Sequence, residues 1–173
     1  MPDPKVNPVQ VQERVSEILS EANPLVAKAA EATAEMALKA NDIISTAMKY
    51  IGTRYRMGSS GPKSFDCSGF TSYVFGRQGI SLSRTSREQF AEGEEVRDIK
   101  DLQKGDLVFF GHSGGRGKPI SHVGIVTDVD AVAGTFNFIH ASRRGVIVDK
   151  YPEASYYVKR FVSACRILNP KSE

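Results

Sequence analysis

The sequence predicts an α+β fold in which helices come first and a mostly antiparallel sheet follows. Three observations carry this. Apolar positions repeat at helical spacing from Val9 onward, and residues 25–40 are rich in the helix formers Ala, Glu, Lys, Met and Leu. Residues 107–168 break instead into short β-branched and aromatic runs bounded by turn residues. Between them, "GTRYRMGSSGPKSF" is marked by glycine, serine and proline and reads as a loop. Runs of helices followed by runs of strands are the pattern of an α+β domain. A chain of 173 residues holds one domain of ordinary size plus an extension, and can bury a core without disulfides or metals.

Residues 1–8 contain three prolines and read as a disordered arm. From Val9, the apolar residues Val11, Val15, Ile18, Leu19 and Ala22 recur at helical spacing until Pro24 interrupts them. Residues 25–40 continue in strong helix formers, with a narrow apolar face of Ala29, Ala32 or Thr33, Met36 and Ala40. Asn41 and Asp42 offer an N-cap for a further helix from 43 to about 51, which Gly52 stops. This divides the chain into an arm with a helical extension, residues 1–40, and a main domain, residues 41–173. In the main domain a short helix is expected over 68–75, with Phe70, Tyr73 and Val74 on one face, ended by Gly76 and Gly79. "SLSRTSREQFAEG" follows as a loop with one or two helical turns. Strands are expected over 107–110, 122–126, 135–140, 146–149 and 157–168.

Bulk properties exclude several function classes. The net charge is +3, and the cations are scattered, with adjacent pairs only at Arg143-Arg144 and Lys159-Arg160. No basic stripe marks a nucleic-acid partner. No run approaches the ~18 apolar residues of a membrane span. The first residues, "MPDPKVNPVQ", lack the apolar region of a signal peptide. That fits a cytosolic protein, or one whose export signal has been removed.

The chemistry concentrates in "FDCSGF", where Cys67 stands between Asp66 and a Ser-Gly pair. Asp66 is a good N-cap, which puts Cys67 at the first helical position. The unpaired N–H groups and partial positive charge of a helix start stabilise a thiolate, so a lowered thiol pKa is expected. Gly69 adds no bulk, so a substrate backbone can approach the sulfur. The Cys67 N–H itself is placed to receive an oxyanion. Three other readings stay open: a small core thiol, a Cys67–Cys165 disulfide, and a zinc site of Cys67 with the histidines, although no pair has tight ligand spacing. Cys165, in "FVSACRIL", reads as a small core thiol.

A thiol nucleophile needs a base, and the chain has three histidines: His112, His122 and His140. If Thr127 pairs with Thr135 across a hairpin, His122 lies directly opposite His140 on one face, ~4.5–5.5 Å apart at Cβ. One ring then takes the thiol proton while the other holds it in its tautomer, as the third member of a triad does. A slip of one residue would put them on opposite faces. His112, in the glycine loop "GHSGGRGKPI", reads as a rim of the cleft.

In order along the chain, "YRMGSSGPKSFDCSGF", "SRTSREQ", "DLQKGDLVFF", "SHVGIV" and "FIHAS" resemble the motifs of the NlpC-type cell-wall cysteine peptidases, over roughly residues 42–168. The resemblance implies a reduced papain-like fold, with a nucleophile helix packed on a mostly antiparallel sheet that carries the histidines. It implies a cysteine peptidase with a Cys-His-His triad that needs no cofactor and no metal. The bond implied is in the stem peptides of bacterial peptidoglycan, usually between D-glutamate, through its side-chain carboxyl, and meso-diaminopimelate. By this resemblance Cys67 is the nucleophile, His122 the base and His140 the residue that orients it, while Tyr55 stands beside the nucleophile and assists the oxyanion. Asp66, Ser68, Arg84 and Ser86 match positions lining the substrate cleft, Arg84 as a partner for a substrate carboxylate and Asp66 as a partner for an amine or simply the helix cap. The sequence departs from the commonest pattern at Met57, in "SSGPKS", and in the longer loop "GHSGGRGKPISH". The expected partners are stem peptides or muropeptides, met by a monomer in the cell envelope. Two other functions compete: an amidase cutting between N-acetylmuramoyl lactate and L-alanine, and a non-catalytic cell-wall binding module on the same fold.

Overall fold

The structure is a computed structural model that describes residues 7–22 and 24–168. Most of the arm expected over residues 1–8 lies outside the described residues. The chain forms two compact units that divide between Met36 and Ala37. In the first unit, α1 spans Pro8–Ala22. Asn7 caps it, its Oδ1 accepting from Val9 N at 3.0 Å, and Pro8 takes the first helical position, where its missing N–H costs nothing. Helix α2 spans Pro24–Met48, again with proline at its start.

Asn41 and Asp42 do not begin a new helix, because α2 runs through them without a break. The cap would contribute about 1 kcal/mol, and burial of Ala40, Ile43 and Ala47 outweighs it. Those three residues recur at spacings of three and four, so a continuous helix puts all of them on one buried stripe. Three tightened turns then close the helix, from Thr46 O to Lys49 N through Met48 O to Ile51 N.

In the rest of the second unit the expected helices again precede the main sheet, with short elements that the sequence pattern does not mark. Strands β1 (Arg54–Tyr55) and β2 (Ser64–Phe65) pair in parallel within the loop region. Helix α3 spans Cys67–Gly76 and α4 spans Ser86–Glu92. Then come β3 (Glu94–Val96), a 3₁₀ turn at Ile99–Asp101, β4 (Leu107–Phe110), β5 (His122–Asp130), β6 (Thr135–Ser142), β7 (Gly145–Tyr151), α5 (Ser155–Val158) and β8 (Phe161–Arg166). Six strands form one antiparallel sheet in the order β3-β8-β4-β5-β6-β7. The run expected as a strand from residue 157 begins only at Phe161, because residues 155–158 make a helical turn that buries Tyr157.

Strand β4 lies at the centre, and all four of its residues are buried. Its neighbours Phe109 and Phe110 point to opposite faces of the sheet. Phe109 meets Phe90 of α4 edge-on, with ring centroids 5.2 Å apart. Phe110 belongs to a cluster with Val126, Phe136, Phe138 and Tyr157. Helix α3 packs against β5 and β6. Each fully buried phenylalanine contributes roughly 1.5–3 kcal/mol, so this two-faced core carries the stability of the domain.

The β5–β6 hairpin differs from the expected pairing. Thr135 lies opposite Asp130, not Thr127, because the turn is tighter: Asp130 O accepts from Gly134 N, and Asp130 Oδ1 accepts from Ala133 N. Strand β5 keeps going through Asp128 and Asp130, which face solvent and so cost little in a strand. The register then shifts at a bulge between Val126 and Asp128, after which Ile125 lies opposite Ile139. Continued to the strand ends, this offset brings Ser142 level with His122 and Gly124 level with His140. The two histidines are therefore diagonal neighbours and not directly opposed. Without the one-residue shift at Thr127 they would stand on opposite faces of the sheet.

Candidate active site

The nucleophile turn is built by Asp66. Its backbone is extended, and its Oδ1 accepts from Gly69 N at 2.7 Å, so it caps α3 as the sequence implies. Its other oxygen accepts from Gly58 N at 3.0 Å. The Arg84 fork donates to both oxygens, at 3.0 and 2.6 Å, and to Ser68 Oγ at 3.0 Å. Burial works against the Asp66 charge, but Arg84 and the two N–H groups outweigh it and hold the carboxyl below its ordinary value. The carboxylate is thus fully engaged, as a tie between the preceding loop, α3 and the start of α4. Gly69 is needed for the same close packing, since an added Cβ would lie 2.2 Å from Ser59 O. The space that the glycine leaves open is filled by the protein's own backbone.

Cys67 is half-buried at the first position of α3, and its Sγ lies 3.9 Å from Ser121 O, next to His122. Both cysteines are free thiols, so the disulfide reading falls. The expected lowering of the thiol pKa is not what the site produces. Burial pushes it up, and the neighbouring Asp66 carboxylate adds to this. The N–H groups of Val123, Ser68 and Cys67 pull it down but do not win. The helix start is real, but desolvation is the larger effect.

His122 Nε2 lies 2.7 Å from His140 Nδ1. His140 is fully buried, and its Nε2 lies 2.8 Å from Asp149 Oδ2. Gly124 leaves room for this, since a Cβ there would come within 3.2 Å of the His140 Cβ. Tyr157, delivered by α5, packs against both rings, with centroids 5.7 and 4.9 Å away. Burial, with His140 next in importance, pushes the His122 imidazolium down to about 3. Burial lowers His140 too, against the pull of Asp149. The resting site is therefore a neutral thiol beside two neutral imidazoles.

Tyr55, Cys67 and His122 line one cavity of about 620 Å³, with His112 on its wall and Arg143, Arg144 and Arg160 giving it positive charge. Burial first, then the Cys67 thiolate once it forms at high pH and the Asp66 carboxylate, push the Tyr55 hydroxyl up, so it remains a hydrogen-bond donor. The structure does not place Asp66, Ser68, Arg84 and Ser86 on the wall of this cavity. The first three form the hydrogen-bonded cluster behind the nucleophile, and Ser86 is buried at the start of α4. Asp149 and Arg144 were not singled out from the sequence. The signal was there in the "SRRG" turn, which sets Phe138 opposite Asp149 and so puts Asp149 on the His140 face.

The model of the NlpC/P60 family matches residues 52–166. A relative named probable endopeptidase p60, from Listeria seeligeri, is 45% identical over 107 residues, covering 62% of this chain and 18% of its own length. A relative named gamma-D-glutamyl-L-lysine dipeptidyl-peptidase, from Bacillus cereus, is 35% identical over 130 residues, covering 75% of this chain and 37% of its own length. A solved NlpC/P60 family protein from Bacillus cereus, 32% identical, aligns with a TM-score of 0.65 over 75% of this chain and 40% of that one. This chain spans well under half the length of each of these relatives.

Proposed function

We propose, from the premise that this chain belongs to the NlpC/P60 family, that it is a cysteine endopeptidase acting on peptidoglycan stem peptides. The bond we assign is the one between the D-glutamate side-chain carboxyl and meso-diaminopimelate. The observation that carries this reading is that Cys67 and His122 line one cavity, with Cys67 Sγ 3.9 Å from the carbonyl of Ser121, the residue before His122, and that behind His122 stand His140 and then Asp149.

The chemistry follows from that order. His122 Nε2 is occupied by His140, so Nδ1 is the ring nitrogen left to accept the thiol proton. The Cys67 sulfur attacks the scissile carbonyl as the proton moves to His122. The carbonyl oxygen takes the negative charge, with the Cys67 N–H and the Tyr55 hydroxyl as its donors. His122 then returns the proton to the leaving amine, and water cleaves the thioester with His122 again as base. Because thiol and imidazole both rest neutral, the proton transfer belongs to the attack step and not to the free protein. Arg143, Arg144 and Arg160 suit stem peptides, which carry several carboxylates. The enzyme would act as a monomer in the cell envelope. No described helix is long and apolar enough to cross a membrane.

Digestion of purified muropeptides, followed by mass spectrometry, tests this. Products ending in D-glutamate, absent with Cys67→Ala, are expected. Release of intact peptide from N-acetylmuramoyl lactate would mean an amidase instead, and no turnover on any muropeptide would mean a binding module.

A further inference from the structure

Asp149 lies beyond the three residues of the expected triad, and the register shows why it reaches them. The offset on β5–β6 puts His122 level with Ser142. Strand β6 then pairs His140 with Ile147 and Phe138 with Asp149. His122, His140 and Asp149 therefore step across three neighbouring strands on one face, two residues further along at each strand. This diagonal gives the ring-to-ring contact of 2.7 Å and the ring-to-carboxylate contact of 2.8 Å.

We propose that Asp149 is a positioning residue that sets the tautomer of both histidines and so makes His122 a base. This rests on the proposed peptidase reading for its consequence, although not for its geometry. A carboxylate can only accept, so His140 Nε2 must carry the proton that Asp149 receives. A neutral imidazole has one N–H, so His140 Nδ1 is bare and must accept. Its partner is His122 Nε2, which must then be the protonated nitrogen of that ring. His122 Nδ1 is left bare, and it is the nitrogen that takes the Cys67 proton. Each contact forces the next, and the direction of the whole row is set at its far end.

The far end is itself held in place. Arg144 NH2 lies 2.8 Å from the same Asp149 Oδ2 that receives His140. The turn that carries Arg144 is fixed by Ser142, whose Oγ donates to Gly145 O at 2.9 Å and accepts from Arg144 N at 3.1 Å. Gly145, at φ +97°, supplies the left-handed backbone that this turn requires. In the attack step the S–H bond breaks, the S–C bond forms and the proton passes to His122. Asp149 stays ionised throughout and faces the imidazolium row that results.

The test is nitrogen NMR of the imidazole rings together with steady-state kinetics. In the unaltered protein both rings should show Nε2 protonated and Nδ1 bare. Asp149→Asn presents an amide that can donate to His140 Nε2, so both rings should turn to Nδ1–H or to a mixture. Its kcat should fall about 10²–10⁴-fold, with KM changed less than about threefold, and Asp149→Glu should recover part of the loss. Nδ1–H on either ring of the unaltered protein would overturn the proposal, even if the variant failed to fold. A loss confined to KM would overturn it as well. The ring signals are read without substrate, so they stand apart from whether stem peptides are the substrate.

Discussion

Gly69→Ala tests how the nucleophile turn is built. The added methyl would sit 2.2 Å from Ser59 O and 2.8 Å from Asp66 Oδ1. Ser59 O is backbone and already accepts from Asp66 N at 2.8 Å, so it cannot simply rotate away. Forcing a methyl into packed space costs typically 1–3 kcal/mol. Loss of the Ser59–Asp66 bond adds about 1 kcal/mol, and better helix propensity returns about 0.5–1 kcal/mol. The net loss is roughly 1–3.5 kcal/mol, or a fall in Tm of roughly 2–14 °C for a chain of this size. Because Asp66 must shift with Ser59, Cys67 moves too, and a displacement of about 1 Å can cost 10²-fold in rate. Gly76→Ala is the control, since an added Cβ there meets nothing within 4 Å. It should melt at or slightly above the unaltered protein. Thermal unfolding and kcat/KM of the three proteins decide the matter. A Gly69→Ala protein that melts within about 1 °C of the unaltered one and keeps its full rate would refute the packing argument.

Two further outcomes follow from the histidines. His122→Ala should lower kcat about 10²–10⁴-fold and His140→Ala less, with the double variant far less impaired than the product of the two; kinetics showing simple multiplication would mean that the rings act separately. For pH, His122 is held at about 3 in the folded protein against about 6.5 in the unfolded chain, so the unfolded chain binds the extra proton between those values. The His122 contribution to stability is therefore complete above about 6.5 and is lost as pH falls toward 3. Urea midpoints at pH 7 and pH 5 should drop more for the unaltered protein than for His122→Gln, and an equal drop in both would contradict the burial of a neutral ring.

Local chemistry was the legible part of this sequence. Asp66 capping Cys67 depends on four consecutive residues, and the structure has it as read. Strand β4 was read with its observed limits because a continuous apolar run follows a glycine turn. Strand β3 has no legible pattern, because "EEV" carries two charges and has only three residues, paired at the edge of the sheet. The register of β5–β6 was not legible. It depends on a bulge at Thr127, whose residue type does not announce one, and on a turn that accepts Asp128 and Asp130 into the strand. The two histidines still share a face because the assumed pairing and the true one differ there by an even step. The thiol pKa departs from the expectation for another reason: a helix start can be read from four residues, whereas desolvation depends on residues far along the chain, such as Ser121.

The account stands most directly on Cys67 being the one thiol that matters, and alkylation followed in parallel with activity measures that. Cys67 lines the cleft, whereas Cys165 is fully buried and its thiol is pushed up to about 12 by burial first of all. With iodoacetamide at pH 7, peptide mass spectrometry should show label on Cys67 well before Cys165. Residual hydrolysis of muropeptides should fall in direct proportion to the unlabelled Cys67 fraction, reaching zero while Cys165 is still free. Hydrolysis that persists with Cys67 fully labelled, or Cys165 labelling at the same rate in the folded protein, would contradict the account.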